Sequence, residues 1–194
     1  MLFGSRDKFR ATPVKDLRST VDGRLAVPRT ASCDIDDMSM GVCTPSELAG
    51  KRARAYFDGG YNCAQAVLLA SAEVMNVDIS PDTVKGMASF AGGIGYAGCT
   101  CGALVGASVF TGILMADEKR PRKNKKATDA SGRFHDLFKE HYKTTCCRAL
   151  RKGRDFKDKE TRSRCRGITA NTAQLLIDIV DNAKAAAKQG RAFR

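Results

Sequence analysis

The chain has 194 residues, 43% hydrophobic and 28% charged, which is enough apolar content for one folded domain with a core and argues against a disordered chain. Its formal net charge is +12, placed unevenly: residues 117–166 carry 18 Lys/Arg against 8 Asp/Glu, while residues 1–47 carry seven of each sign. The opening "MLFGSRDKFRATPVKD" turns polar after three residues, so no secretory leader is expected and the expected compartment is the cytoplasm. Eight cysteines in a reducing compartment point to metal binding or redox chemistry before a disulfide framework.

Residues 1–43 show no sustained period and are expected to form an irregular N-terminal arm. Order is expected to begin at Thr44, an N-cap followed by Pro45 at the first helical position and by Glu47, which completes a capping box. That helix should stop at Gly59–Gly60. Asn62 is then placed to cap "CAQAVLLASAEVM", whose Val67, Leu68, Ala70, Ser71 and Val74 keep helical spacing. "SPDTVKGMASF" repeats the entry signal with Ser80 and Pro81. Next, "GALVGASVFTGILM" reads as a buried helix rich in small residues, and a basic linker is expected over 117–130. "RFHDLFKEHYK" is amphipathic, with Phe134, Leu137, Phe138, His141 and Tyr142 on one side. Thr144 or Thr145 can cap a short turn at Cys146. The last helix, "GITANTAQLLIDIVDNAKAAAKQG", should end at Gly190 and turn Thr172, Leu175, Leu176, Ile179, Val180 and Ala183 to the core. No segment alternates with period two. The expected class is all-α: a compact helical bundle over 44–190 with a glycine-rich loop.

That loop lies in a window without charge, between Lys85 and Asp117, holding eight glycines and two cysteines. Its length would suit a bilayer span of roughly 20 residues. However, Gly92, Gly93, Gly95 and Gly98 would each weaken a helix by about 1 kcal/mol relative to alanine, so no membrane span is expected. Gly93, Gly95 and Gly98 also spell G-x-G-x-x-G, with Asp117 downstream, but the preceding "KGMASFA" lacks the β-branched character of the strand a dinucleotide site needs. The third reading concerns thiols. Cys101 stands where the loop becomes a helix, Cys63 follows Asn62, Cys146 and Cys147 follow Thr144–Thr145, and Cys165 precedes the last helix. A thiol at a helix N-terminus faces unpaired N–H groups and the positive end of the dipole, which favour the thiolate.

The segments "YNCAQAVL", "CGALVG", "CCRAL" and "RCRGITANTAQLLIDIV" together resemble the redox-active family defined by four cysteines and a CGAxxG motif, over roughly residues 46 to 188. The resemblance implies Cys63, Cys101, Cys147 and Cys165 as the redox or metal-binding set, with Cys99 and Cys146 as substitutes beside family positions. Relatives carrying this module beside haem domains imply an iron–sulfur centre. No C-x-x-C-H is present, so haem is not expected.

Four thiolates suit an iron–sulfur cluster, [2Fe–2S] before [4Fe–4S], and suit tetrahedral zinc by ligand count. Gly93, Gly95, Gly98 and Gly102 would let backbone approach such a cofactor, and Gly102 with Gly106 would let another helix pack near Cys101. The alternative is metal-free thiol–disulfide exchange, for example Cys63 with Cys101. A second alternative is a basic nucleic-acid or protein interaction module with structural cysteines; within its basic runs the aromatic residue is Phe156. The expected partner is an electron donor or acceptor protein, acidic by complementarity, and a homodimer fits as well as a monomer.

Overall fold

The computed structural model describes residues 43–188 except Pro121, together with Thr20–Val21 and Arg24–Leu25, and side chains as far as Asn182. Within the arm, β1 (Thr20–Val21) and β2 (Arg24–Leu25) form a two-residue antiparallel ribbon pairing Thr20 with Leu25. Everything else regular is helical, so the all-α class holds. The stop expected at Gly190 lies outside the described residues, and so does the side chain of Ala183.

Helix α1 (Pro45–Asp58) starts on the expected box: Glu47 N–H donates to Thr44 Oγ1 at 3.2 Å, and Thr44 N–H to Glu47 Oε2 at 2.8 Å. Helix α2 (Cys63–Met75) starts on a second box, with Ala64 and Gln65 N–H both donating to Asn62 Oδ1. The Asn62 amide also donates to Met87 O at 3.0 Å, and Gln65 Nε2 donates to Val84 O at 3.0 Å. The cap residues of α2 therefore grip α3 (Pro81–Gly86) and the 3-10 turn Met87–Phe90 that follows it. The left-handed residue Asn76, φ 53°, ends α2.

Helix α4 (Gly102–Met115) packs on α2 through glycine. A Cβ at Gly106 would lie 2.3 Å from Ala64 O, so bare backbone meets bare backbone at this crossing. Ser108 and Thr111 return their hydroxyls to Leu104 O and Ala107 O, which satisfies them inside an apolar helix. No helix among the described residues is long and apolar enough to cross a membrane.

Two boundaries differ from the sequence reading. Helix α5 (Lys125–Tyr142) takes in "KKATDASG", most of it assigned to the linker. Ala127, Ala130, Phe134 and Phe138 form its buried stripe, and small alanines among polar neighbours hide the first turns of that stripe. After the four-residue α6 (Cys147–Leu150), helix α7 (Lys159–Lys188) begins eight residues before Gly167. Asp158 Oδ1 accepts from Glu160 N–H at 2.9 Å, a cap within a run read only as basic.

The core lies where α1, α2, α4, α5 and α7 meet, filled by Val67, Leu68, Phe110, Phe134, Phe138, Leu176, Ile177 and Val180. Of the face predicted for the last helix, Thr172, Leu176, Ile179 and Val180 are buried and Leu175 is half-buried.

Candidate functional site

Cys63 is the first residue of α2, and Cys101 is the cap of α4. Because α2 and α4 touch at their starts, the two thiols meet. The Cys63 sulfur lies 2.6 Å from where a Cβ on Gly102 would stand, so Gly102 is the space that sulfur occupies. An interaction of hydrogen-bond type between the two thiols is the largest influence on each, and it acts in opposite directions. Cys101 is lowered by the Cys63 thiol, against burial, and further lowered by the N–H groups of Ala103 and Leu104. Those amides act at longer range than an ordinary cap, since no side chain closes a hydrogen bond to the α4 N-terminus. Cys63 is raised well above the usual thiol value by the same contact, by burial, and by the sulfurs of Cys101, Cys165 and Cys147. Of the pair, Cys101 is the thiol favoured to ionise and Cys63 the one favoured to keep its proton.

Cys147 is the first residue of α6, buried, its thiol pushed up to about 12 by burial and by the Cys101 and Cys165 sulfurs. Cys165 is half-buried and pushed up to about 11 by burial and by Cys101. Arg151 opposes both shifts, and its guanidinium lies 4.3 Å from the centroid of the Phe156 ring. Cys165 is the one misplaced cysteine: it belongs to the second turn of α7, not to the approach of a helix. No disulfide joins any cysteine among the described residues.

The glycine loop is clamped to the α6 strand of chain. Cys101 N–H donates to Thr145 O at 2.8 Å, Cys147 N–H to Cys99 O at 2.5 Å, and Arg148 N–H to Gly98 O at 3.0 Å. Thr100 and Cys146 pair as an antiparallel bridge, and Cys146 Sγ donates to Gly98 O. Cys99 is exposed and Cys146 half-buried, and neither ranks with the four-thiol group in its interactions with Cys63. Five consecutive residues, Gly92 to Tyr96, have positive φ, including Ile94 at 56° and Tyr96 at 66°. Such a value is strained for the β-branched Ile94, and the loop's own turns hold the run: Gly95 N–H donates to Ser89 O, Tyr96 N–H to Ala91 O and Gly98 N–H to Gly92 O.

Of the four glycines Gly93, Gly95, Gly98 and Gly102, three lie against the protein's own atoms. A Cβ at Gly93 would meet Cys147 Cβ at 2.7 Å, one at Gly98 would meet the Arg148 side chain, and one at Gly102 would meet Cys63. Gly95 has open space around it. The room those residues provide is filled by the protein's own side chains. Among the described residues, moreover, no group of three or more His, Cys, Asp or Glu side chains converges where a metal ion could sit. The four thiols nonetheless influence one another electrostatically, and Cys63 senses the sulfurs of the other three. Preceded by a 3-10 turn and not a strand, the G-x-G-x-x-G spacing at Gly93, Gly95 and Gly98 has no dinucleotide context either.

Sequence reasoning did not single out Arg151, Tyr142 or Asn171 as site neighbours. Tyr142 senses the Cys101 charge and has Asn171 beside it. Its amphipathic position on α5 was visible, but nothing local signals that its far end reaches the thiols. Phe156 is engaged by Arg151 and by the Tyr96 ring, whose centroid is 5.4 Å away.

The family described as "Putative redox-active protein (C_GCAxxG_C_C)" matches residues 61–179. Here the central motif reads Cys101-Gly102-Ala103, closing at Gly106. Among curated proteins, an "Uncharacterized protein" of Archaeoglobus fulgidus is 26% identical over 147 residues, covering 72% of this chain and 97% of that relative. No solved structure matches the chain.

Proposed function

The chain belongs to this redox-active family, and from that premise we propose that it is a thiol–disulfide oxidoreductase whose working couple is Cys63 and Cys101. The observation that carries the reading is the pairing itself: two thiols at the adjoining starts of α2 and α4, one favoured as thiolate and the other holding its proton. A thiolate next to a protonated thiol is the arrangement from which exchange starts, because one sulfur attacks and the other resolves. The Cys63 thiol and the amides of Ala103 and Leu104 stabilise the attacking sulfur, and the Gly102 gap holds the resolving sulfur against it. Cys147 and Cys165, both held protonated, form a reserve of thiol on the same site. The basic stretch around α6 suits an acidic protein as electron donor or acceptor.

The test is oxidation of the reduced full chain by one equivalent of a small disulfide, followed by peptide mapping. A Cys63–Cys101 disulfide, with loss of two thiols, is the expected result. Disulfides that avoid both residues would overturn it.

An iron–sulfur centre is the second reading, favoured by one observation: Cys63 senses all three other family sulfurs. Such a cluster requires Cys147 and Cys165 to draw inward from where they stand. Iron and sulfide in stoichiometric amount in anaerobically purified protein, lost in the Cys147→Ser variant, would establish it in place of the dithiol couple.

A further inference from the structure

Two cysteines outside the four-sulfur set meet on the clamp between the glycine loop and α6. Cys99 is exposed and Cys146 half-buried, and both are thiols in this structure. Cys146 Sγ lies 3.2 Å from Gly98 O, so it rests on the peptide that joins Gly98 to Cys99. That oxygen and the Cys99 Cα flank one planar peptide, about 2.8 Å apart, which puts the Cys146 sulfur within about 6 Å of Cys99 Cα. The backbone agrees: Cys147 N–H donates to Cys99 O at 2.5 Å, and Thr100 pairs with Cys146. Followed along that hydrogen bond, the Cα atoms of Cys99 and Cys146 are at most about 7 Å apart, and a disulfide bridges roughly 4.4–6.8 Å. Successive side chains of a regular strand point to opposite faces, which would part the two thiols. Here Gly98, at φ 76°, breaks the extended run just before Cys99, and the Cys146 side chain leans along the partner segment to Gly98 O. Cys99, being exposed, turns about its Cα–Cβ bond without displacing packed atoms. Gly98 O also accepts from Arg148 N–H at 3.0 Å, so it keeps a donor when the Cys146 sulfur leaves it.

We propose that Cys99 and Cys146 are a second redox couple, at the surface, which small disulfides oxidise to a bond that locks the glycine loop to α6. The proposal stands apart from the Cys63–Cys101 reading, since it uses neither sulfur. Cys99 is the sulfur that an external disulfide meets. As thiolate it attacks one sulfur of that disulfide, the S–S bond breaks, and the first small thiolate leaves and takes up the proton that Cys99 released. Cys146 gives its proton to water and attacks the Cys99 sulfur, and the second small thiolate departs and is protonated by water. Two electrons pass from the protein dithiol to the small disulfide, leaving one protein disulfide and two small thiols. Exposed disulfides have more oxidising potentials than buried ones. At equilibrium the buried couple therefore holds the first equivalent of oxidant and the surface couple the second.

The experiment uses the full chain, reduced, with Cys33 and Cys43 replaced by serine and dithiodipyridine as the oxidant. Peptides are sequenced by mass spectrometry, which separates Cys99 from Cys101 and Cys146 from Cys147. With two equivalents of oxidant, a Cys99–Cys146 disulfide should join the one at Cys63–Cys101. Cys99→Ser and Cys146→Ser should each abolish that second disulfide and leave the first. The bond closes the chain between 99 and 146 into a loop, so the oxidised parent should melt several degrees above oxidised Cys99→Ser. A second disulfide drawn from Cys147 or Cys165, or a mixed disulfide left on Cys99, would overturn the surface couple. Equal melting temperatures with the bond in place would overturn the lock. If Cys99–Cys146 forms with the first equivalent while Cys63 and Cys101 stay reduced, the surface couple holds and the thiol-exchange reading of the buried pair falls.

Discussion

A single methyl group at position 106 probes what holds the thiols together. In Gly106→Ala the new Cβ would stand 2.3 Å from Ala64 O, 3.0 Å from Ala64 C and 3.1 Å from Ala64 Cα. All three are backbone atoms and cannot rotate aside, so α2 must retreat by about 1 Å to regain an ordinary contact of roughly 3.5 Å. Overpacking of this kind typically destabilises by about 1–3 kcal/mol. Alanine in place of glycine favours a helix by about 1 kcal/mol, which offsets part of the loss. Gly112, in the same helix, supplies the control, because a Cβ there meets nothing within 4 Å. Gly112→Ala should keep the propensity gain alone. The two variants should therefore differ by about 1–3 kcal/mol, which at roughly 2–4 °C per kcal/mol is a clear separation in melting temperature. The chemical readout moves with it. As α2 retreats, Cys63 leaves Cys101, whose thiolate loses its largest stabilising contact, so iodoacetamide should label Cys101 more slowly at pH 7 in Gly106→Ala and at the parent rate in Gly112→Ala. Equal melting temperatures and equal labelling rates in the two variants would refute the α2–α4 contact as the origin of the pair.

Three further outcomes are expected. Cys63→Ala should move the pH profile of Cys101 alkylation to higher pH, because the contact that most lowers its pKa is gone; an unmoved profile would show the helix amides sufficient alone. Gly93→Ala and Gly95→Ala both force alanine into positive φ, at about 1–2 kcal/mol. Gly93→Ala should cost more in a urea melt, because its Cβ also meets Cys147 Cβ at 2.7 Å and Cys99 N at 2.8 Å, whereas Gly95 faces open space. Stability should fall in alkali. Cys147 and Cys165 are raised to about 12 and about 11 from an ordinary 9.0, so above pH 9 the unfolded chain releases protons that the folded chain retains. That contribution is intact below pH 9 and disappears as pH rises toward 11–12, at up to about 1.4 kcal/mol per pH unit for the buried Cys147. Cys147→Ala should flatten the slope, as read from melting temperatures across that window.

Local punctuation made much of the fold legible. Thr44 with Glu47 and Asn62 with Gln65 are boxes whose two halves lie three residues apart, and they set the starts of α1 and α2 without tertiary help. The Gly102 and Gly106 spacing correctly announced a helix packed near Cys101, although only the structure shows that the helix is α2 and that Cys63 is the residue over Gly102. What failed was legibility where small or charged residues disguise a buried face. Ala127 and Ala130 look like linker until Phe134 is seen to continue them. Gly167 looks like a helix entry, yet Asp158 had already capped α7, and Cys165 lies inside the helix as a result. What the loop glycines face was hidden for a similar reason. Sequence shows that they open space, and distance along the chain gives no hint that Cys147 and Arg148 fill it.

The run from Gly92 to Tyr96 has one more consequence. Exposed, glycine-rich and joining two helical segments, with Ile94 half exposed, it has the marks of a connection that accepts extra residues or a cleavage site. It cannot behave as one. A segment wound against the usual hand, with its exit hydrogen-bonded to Thr145, Cys147 and Arg148, has a constrained residue count, because one insertion would shift the register of those bonds. Loop length here is as constrained as a core side chain, and an engineered tag or probe belongs instead in residues 117–124, between α4 and α5, where the chain leaves and re-enters helix far from the thiols.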